Sequence, residues 1–457
     1  MSDETAPIDT IAEAAHRRSR LAERMGEACV AVVPAAFEQP RNRDVHHPFR
    51  QDSDFFYLTG FPEPEAVAVI APGRPEGAFI LFCRPKDAKR EQWDGRRAGP
   101  EGAMADYGAD QAHPLDQLDE ELPKLLVGRR RVVFPLGRDV AWDRRLMGWL
   151  RRARGVARGC PTLPTTVELP QHFIHELRLI KSTAELEAMR RAAGVTVAAH
   201  RRAMQTVQAG MPEFELEAEM LSIFHRFGGQ PAYPSIVAGG ANACILHYVE
   251  NRQRLRDGDL VLIDAGCELD GYAADITRTF PVNGTFSGEQ RAVYELVLAA
   301  QQAAMDAVAP GRSFDDFHAA ATRVLVQGMV DLGWLSGEVD TLIEEKAHHA
   351  FYPHRTGHWL GMDVHDVGLP GEDNRWRPLE PGMVVTVEPG LYVMPGAEGV
   401  EPRWHGIGVR IEDDVVVTEE GARNLTAGAP KAPDELEGWI AAAAGGETFD
   451  DYHDPRP

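Results

Sequence analysis

Apolar and polar positions along this chain change period, and the change divides it. Residues 1–28 are Ala-rich with helical spacing. From about 30 to 140, short apolar runs (AVAVI at 66–70, FILF at 79–82, VVF at 132–134) are split by Gly/Pro turns and helix-like segments, an α/β texture. The stretch 144–164 is rich in Arg, Gly and Pro and reads as the end of this domain and the start of a linker. A new block opens near residue 175. Ser182-Thr183-Ala184-Glu185 fits a capping box, so a long helix is expected to about Val207. Gly210 and Pro212 break it, and a second helix is expected from Glu213. Strands follow from Asp259, helices over 287–308 and 314–332, and strands again over 383–418. The spacing predicts an α/β domain over 1–172, an α+β domain over 173–440 and a loosely held acidic tail over 441–457.

The length of 457 residues agrees with two domains. Lys and Arg total 48 against 70 Asp and Glu, a formal charge of −22, which disfavours nucleic-acid phosphate and anionic lipid as partners. No apolar run reaches the roughly 18 residues of a membrane span. The opening MSDETAPIDT lacks the basic and apolar regions of a secretory signal. Five scattered cysteines with no C-x-x-C pair point to reduced thiols and a cytoplasmic location.

The acids stand out against this background. DLVLIDAG (259–266) runs into CELDGYAADITRTFPV, and Asp270-Gly271 is a strong two-residue hairpin signal. With that turn, paired residues sum to 541, so Asp264 faces Thr277 and Gly266 faces Asp275. Asp264 and Asp275 are then diagonal neighbours on one face, about 7–8 Å apart. Glu388 ends MVVTVEPG, and Glu412 lies inside IGVRIEDDVVVT with Arg410 two residues before it. One such acid at a strand edge in water is ordinary, but a carboxylate in a β-branched run is costly to bury unless paired or metal-bound. Four of them with a histidine form a hard, oxygen-rich set suited to Mn²⁺, Co²⁺, Zn²⁺ or Mg²⁺. Four carboxylates suit two cations, and two metals about 3.5–4 Å apart can hold a bridging hydroxide. The stretch HRTGHWLGMDVHDVG (354–368) supplies His354, His358 and His365, whose spacing alone does not assign their jobs.

IDAG…DITRTF, the histidine stretch, TVEPG and GVRIEDD resemble, in that order, the motifs of the creatinase/aminopeptidase family, whose catalytic domain is the pita-bread fold. RNRDVHHPFRQDSDFFYLTGFPEPEAV (41–67), WDGRRAGPEGAMADYGAD (93–110) and HELRLIKSTAELE (175–187) resemble its aminopeptidase P branch. The resemblance covers about residues 30–430. It implies Xaa-Pro aminopeptidase activity on peptides with proline in second position, with prolidase as the alternative and a non-enzymatic peptide-binding module as the rival of another class. It implies two divalent metals, Mn²⁺ first, on Asp264, Asp275, His358, Glu388 and Glu412, and a homodimer or homotetramer. It casts Glu388 as general base, His247 (in CILHYVEN) as oxyanion donor, and His365 and His354 as substrate-facing groups. His354 would stand on the proline side, and Arg410 would orient a ligand carboxylate. Tyr233 is expected in the pocket, and Trp93 in the core or as a lid over a neighbouring subunit's site. Arg355 departs from the family pattern, which places Gly after the first histidine.

Overall fold

The computed structural model describes residues 9–159 and 161–444. The chain divides into two compact units, 9–178 and 179–444 among these residues.

The first unit is built on a six-stranded mixed sheet in the order Gln111–Pro114, Phe79–Cys83, Val67–Ile70, Cys29–Pro34, Arg131–Val133, Thr166–Glu168. Its central strands are buried on both faces, so they read as continuous apolar runs rather than alternating ones. The expected linker at 144–164 is instead part of this unit. Residues Val140–Val156 form a helix capped by Asp139, whose carboxylate accepts from the N–H groups of Ala141 and Trp142. Trp142, Leu146, Trp149 and Ala153 form its buried stripe, and its arginines cover the other face. The arginine density masked a 3.6-residue period, and the chain then returns as the sixth strand.

The second unit follows the expected order. Helix Thr183–Thr206 starts at Ser182 with a complete capping box, and helices Glu213–Arg226, Gly288–Ala307 and Phe314–Asp331 lie where the pattern placed them. Two strands precede Asp259 that the pattern did not reveal, Gln230–Pro231 and Ile236–Gly239, both very short. Strands Ile236–Gly239, Leu260–Asp264 and Thr277–Pro281 make an antiparallel sheet, and Val384–Val387, Asp413–Thr418 and Gly421–Asn424 make another.

The hairpin register holds: Asp264 pairs with Thr277 and Leu269 with Tyr272, and Asp270 and Gly271 take φ of 53° and 80°. It is not one continuous ribbon, because its two halves belong to separate sheets. Gly266 lies between the halves, where an added Cβ would sit 1.7 Å from the carbonyl oxygen of Ala274. Helix Thr183–Thr206 holds this crossing from behind. The hydroxyl of Thr196 accepts from the N–H of Cys267, and Nε2 of the buried His200 lies 3.1 Å from the carbonyl of Ala265.

Cys29, Cys83, Cys244 and Cys267 are free and buried, while Cys160 lies outside the described residues. A helix over Pro433–Ala444 crosses the expected start of the tail at 441, and residues 445–457 lie outside the described residues. No helix of the described residues is long and apolar enough to cross a membrane.

Candidate metal centre and its cavity

Strand ends deliver the carboxylates. Asp264 closes strand Leu260–Asp264, and Asp275 stands two residues before Thr277–Pro281. Glu388 follows Val384–Val387, and Glu412 lies in the gap between Gly408–Arg410 and Asp413–Thr418. The histidine stretch runs antiparallel to Val384–Val387. Leu360 N–H donates to Val384, Thr386 N–H to His358 and Glu388 N–H to Thr356, which puts His358 and Glu388 on one face as diagonal neighbours. The approach needs Gly357, where a Cβ would lie 2.0 Å from the carbonyl of Thr386.

Arg278, fully buried, ties two ligand strands together. It donates to the carbonyl of Glu412 at 2.6 Å, to Asp413 at 2.7 Å and to the carbonyls of Pro430 and Ala429. Beside it, the Thr277 hydroxyl donates to Glu412 at 2.6 Å.

These elements bring Asp264, Asp275, His358, Glu388 and Glu412 to one wall of a cavity of about 530 Å³. Ligand atoms of Asp275, His358 and Glu412 lie within 4.8 Å of one another. Nε2 of His358 is 3.4 Å from Asp275 and 3.6 Å from Glu388, while its Nδ1 is 2.9 Å from the carbonyl of Trp359. That carbonyl fixes the tautomer and leaves Nε2 facing the carboxylates.

The charge balance fits a cation. Burial, with the negative charge of Asp275 and Glu388 nearby, drives the Glu412 carboxyl well above the usual carboxylate range. Burial raises Glu388 to about 7 against the pull of His358 and Arg410, and it raises Asp264 as well. Burial alone would lower His358, but the bond to Asp275 and the charge of Glu388 outweigh it and lift the imidazole to about 9. The acids repel one another, and Arg410 is committed to Asp264 at 2.5 Å. A largely buried, under-neutralised set of this kind could hold a divalent cation.

Arg410 is held on both sides, by the Thr277 hydroxyl at 3.1 Å and the Tyr392 hydroxyl at 3.0 Å. The Tyr233 hydroxyl is 2.7 Å from Asp264 and also bonds Asp275, so Tyr233 lines the cavity as a partner of the acids. His247, His354 and His365 line the same cavity. The ring of His365 packs edge-on against His358, with centroids 4.4 Å apart.

His354 departs from the expectation of a free substrate-facing donor, because both ring nitrogens already have partners. Nδ1 lies 2.8 Å from the carbonyl of Arg355 and Nε2 lies 2.8 Å from the Tyr392 hydroxyl. Burial and the charge of Arg410 lower its pKa to about 3, so the ring is neutral, with Nδ1–H donating and Nε2 accepting. Arg355 lines the cavity, stacks 4.5 Å over Trp376 and bonds Asp315 at 3.1 Å. Trp93 is not brought to the cavity and is not in a core; it stands on the first unit, 85% exposed.

The sequence reading missed Tyr392, Thr277, Arg278 and Lys181. The last forms a buried ion pair with Asp366, next to His365, at 3.1 Å. None carries a local signal, because each partner is far away along the chain.

Comparison with known proteins follows the same outline. The family model for metallopeptidase family M24 matches residues 187–419, and that for the aminopeptidase P N-terminal domain matches 14–134. The Xaa-Pro aminopeptidase of Escherichia coli K12 is 46% identical over 429 residues, covering 93% of this chain and 97% of its own. Human Xaa-Pro aminopeptidase 3 is 37% identical, covering 87% and 78% respectively. Aminopeptidase PepP of Pseudomonas aeruginosa superposes with a TM-score of 0.93 at 53% identity, over 95% of this chain and 99% of that one. Zinc-substituted E. coli aminopeptidase P, solved in complex with product, gives a TM-score of 0.92 at 45% identity, over 96% and 99%.

Proposed function

The chain belongs to metallopeptidase family M24 and carries that family's aminopeptidase P N-terminal domain on a pita-bread catalytic unit, and from that premise we propose that it is an Xaa-Pro aminopeptidase. It removes the first residue from peptides with proline in second position. One observation carries the reading: four acids, Asp275 and Glu412 buried and Asp264 and Glu388 half-buried, meet His358 on the wall of a cavity that three further histidines also line.

Asp264, Asp275, His358, Glu388 and Glu412 would hold two divalent cations, Mn²⁺ first, and the same oxygen-rich donors would also suit Co²⁺, Zn²⁺ or Mg²⁺. When bound, the cations would lower the pKa of a water towards neutrality and set positive charge against the scissile carbonyl. Proline lacks an N–H and has a fixed φ, so a protease that grips an extended backbone through that donor fails here. This chain's residues meet the problem in turn. Glu388 accepts the proton of the attacking water. His247 donates to the carbonyl oxygen as it becomes an oxyanion. His365 donates to the substrate backbone. His354 stands on the proline side, its neutral ring held between the Arg355 carbonyl and the Tyr392 hydroxyl. Arg410 and Tyr233 keep Asp264 and Asp275 in place.

The enzyme is proposed to be cytoplasmic, in keeping with its free buried thiols. It is proposed to assemble as a homodimer or homotetramer in which the exposed Trp93 of one copy covers the site of another. Trp93→Ala should then raise KM several-fold, an effect that its packing within one chain would not produce, because the side chain is 85% exposed there.

The decisive assay compares Ala-Pro-Ala with Ala-Pro on Mn²⁺-loaded enzyme. Release of alanine together with Pro-Ala from the tripeptide, abolished by EDTA, is expected. Cleavage of the dipeptide with none of the tripeptide would make the enzyme a prolidase instead. A metal-free, inert protein would make it a binding module.

A further inference from the structure

The carboxylate of Glu213 lies outside the cavity lining and the ligand set, yet it is 0% exposed. It is the first residue of helix Glu213–Arg226, where unpaired N–H groups favour a negative charge. Oε1 accepts from the N–H of Gly239 at 2.8 Å and from the side-chain amide of Asn242 at 3.0 Å. Oε2 accepts from the Tyr248 hydroxyl at 2.9 Å and the N–H of Gln253 at 2.8 Å. All four donors belong to one segment, 239–253, whose regular structure is the end of a short strand and one 3-10 turn at Gly240–Cys244.

That segment carries His247. Leu246, His247 and Val249 line the cavity, while Tyr248 between them is buried and bonded to Glu213. The far end is pinned separately by Asn251, which takes a φ of 50°. Its side chain accepts from the N–H of Val237 at 3.0 Å and donates to the carbonyl of Ser235 at 2.8 Å. A carboxylate suits the hub because it accepts from four donors and has none of its own. A glutamine there would turn its own N–H₂ group against two of them.

We propose that Glu213 is a positioning residue for His247: it gathers the segment on either side of that imidazole and fixes where the ring meets the substrate. The inference rests on the reading of His247 as the oxyanion donor. Misplacement of a catalytic group by a fraction of an ångström is enough to slow an enzyme.

A double-mutant cycle tests it, with kcat and KM for Ala-Pro-Ala measured separately on Mn²⁺-loaded enzyme, alongside Tm and metal content. Glu213→Gln is expected to lower kcat about tenfold, and Tyr248→Phe about threefold, with two metals still bound. In the His247→Ala background each should cost less than about twofold, because the group they position is gone. Equal losses in both backgrounds would overturn the proposal and leave Glu213 a structural residue. If Glu213→Gln does not fold, the Tyr248→Phe cycle decides in the same way. A His247→Ala enzyme as fast as the wild type would overturn the reading of His247, and the proposal with it. A slow His247→Ala enzyme with additive losses would overturn the proposal alone.

Discussion

Glu388 carries two jobs at once, as a metal donor and as the group that takes a proton. Glu388→Ala should therefore abolish hydrolysis and cost at least one of two metals, read by turnover and metal analysis on the same sample. Turnover near the wild-type rate would remove Glu388 from the centre. Arg355 shows a different kind of residue effect. It puts a guanidinium on the cavity wall, neutralised only in part by the exposed Asp315. Peptides with an acid just past the proline should be favoured over those with lysine there. Arg355→Ala should reduce that kcat/KM ratio about threefold, the scale of an exposed ion pair, and added salt should do the same to the wild type. An unchanged ratio would place Arg355 outside substrate recognition. At this scale the sequence was informative where chemistry is local. Acids inside apolar strands and histidines among glycines announce themselves. Tyr392, Thr277 and Glu213 do not, because an ordinary tyrosine, threonine or glutamate becomes functional only through a partner distant in sequence.

The hairpin from Leu260 to Pro281 shows how an element sets the site. Asp-Gly at the turn fixes the register, and the register decides that Asp264 and Asp275 face the same point. What the pattern could not show is the break between its halves, because a change of sheet leaves the alternation of side chains intact. Gly266→Ala puts a methyl group into the Ala274 carbonyl, so it should cost about 3 kcal/mol or more, read by chemical denaturation. It should also lower metal affinity by separating the two aspartates. A stable, fully metallated Gly266→Ala protein would mean the crossing relaxes freely. The helix Val140–Val156 gave the opposite lesson. Its composition suggested a linker, while the spacing of Trp142, Leu146, Trp149 and Ala153 already described a helix.

Across the whole molecule the cavity acids make stability depend on metal and pH together. Without metal, Glu388 has its carboxyl raised to about 7 and His358 its imidazole to about 9. Both folded-state values lie above the unfolded ones. Each therefore contributes stability that is complete below its unfolded pKa and is lost as pH rises through its folded pKa. The metal-free protein should lose Tm steadily between roughly pH 5 and 9, while the metal-loaded protein should not, because its ligands are deprotonated by the metal. Calorimetry of EDTA-treated and Mn²⁺-loaded samples across that range should show a widening gap; a constant gap would contradict the crowding of the acids. The two-unit plan was legible from texture alone, since each unit closes its own core. The acid cluster also sets an evolutionary trade-off. Activity keeps four carboxylates where the empty scaffold would be steadier with fewer. Replacing one acid by a neutral residue moves the chain towards a sturdier, metal-free peptide binder, so catalysis in this architecture persists only under continuing selection for turnover.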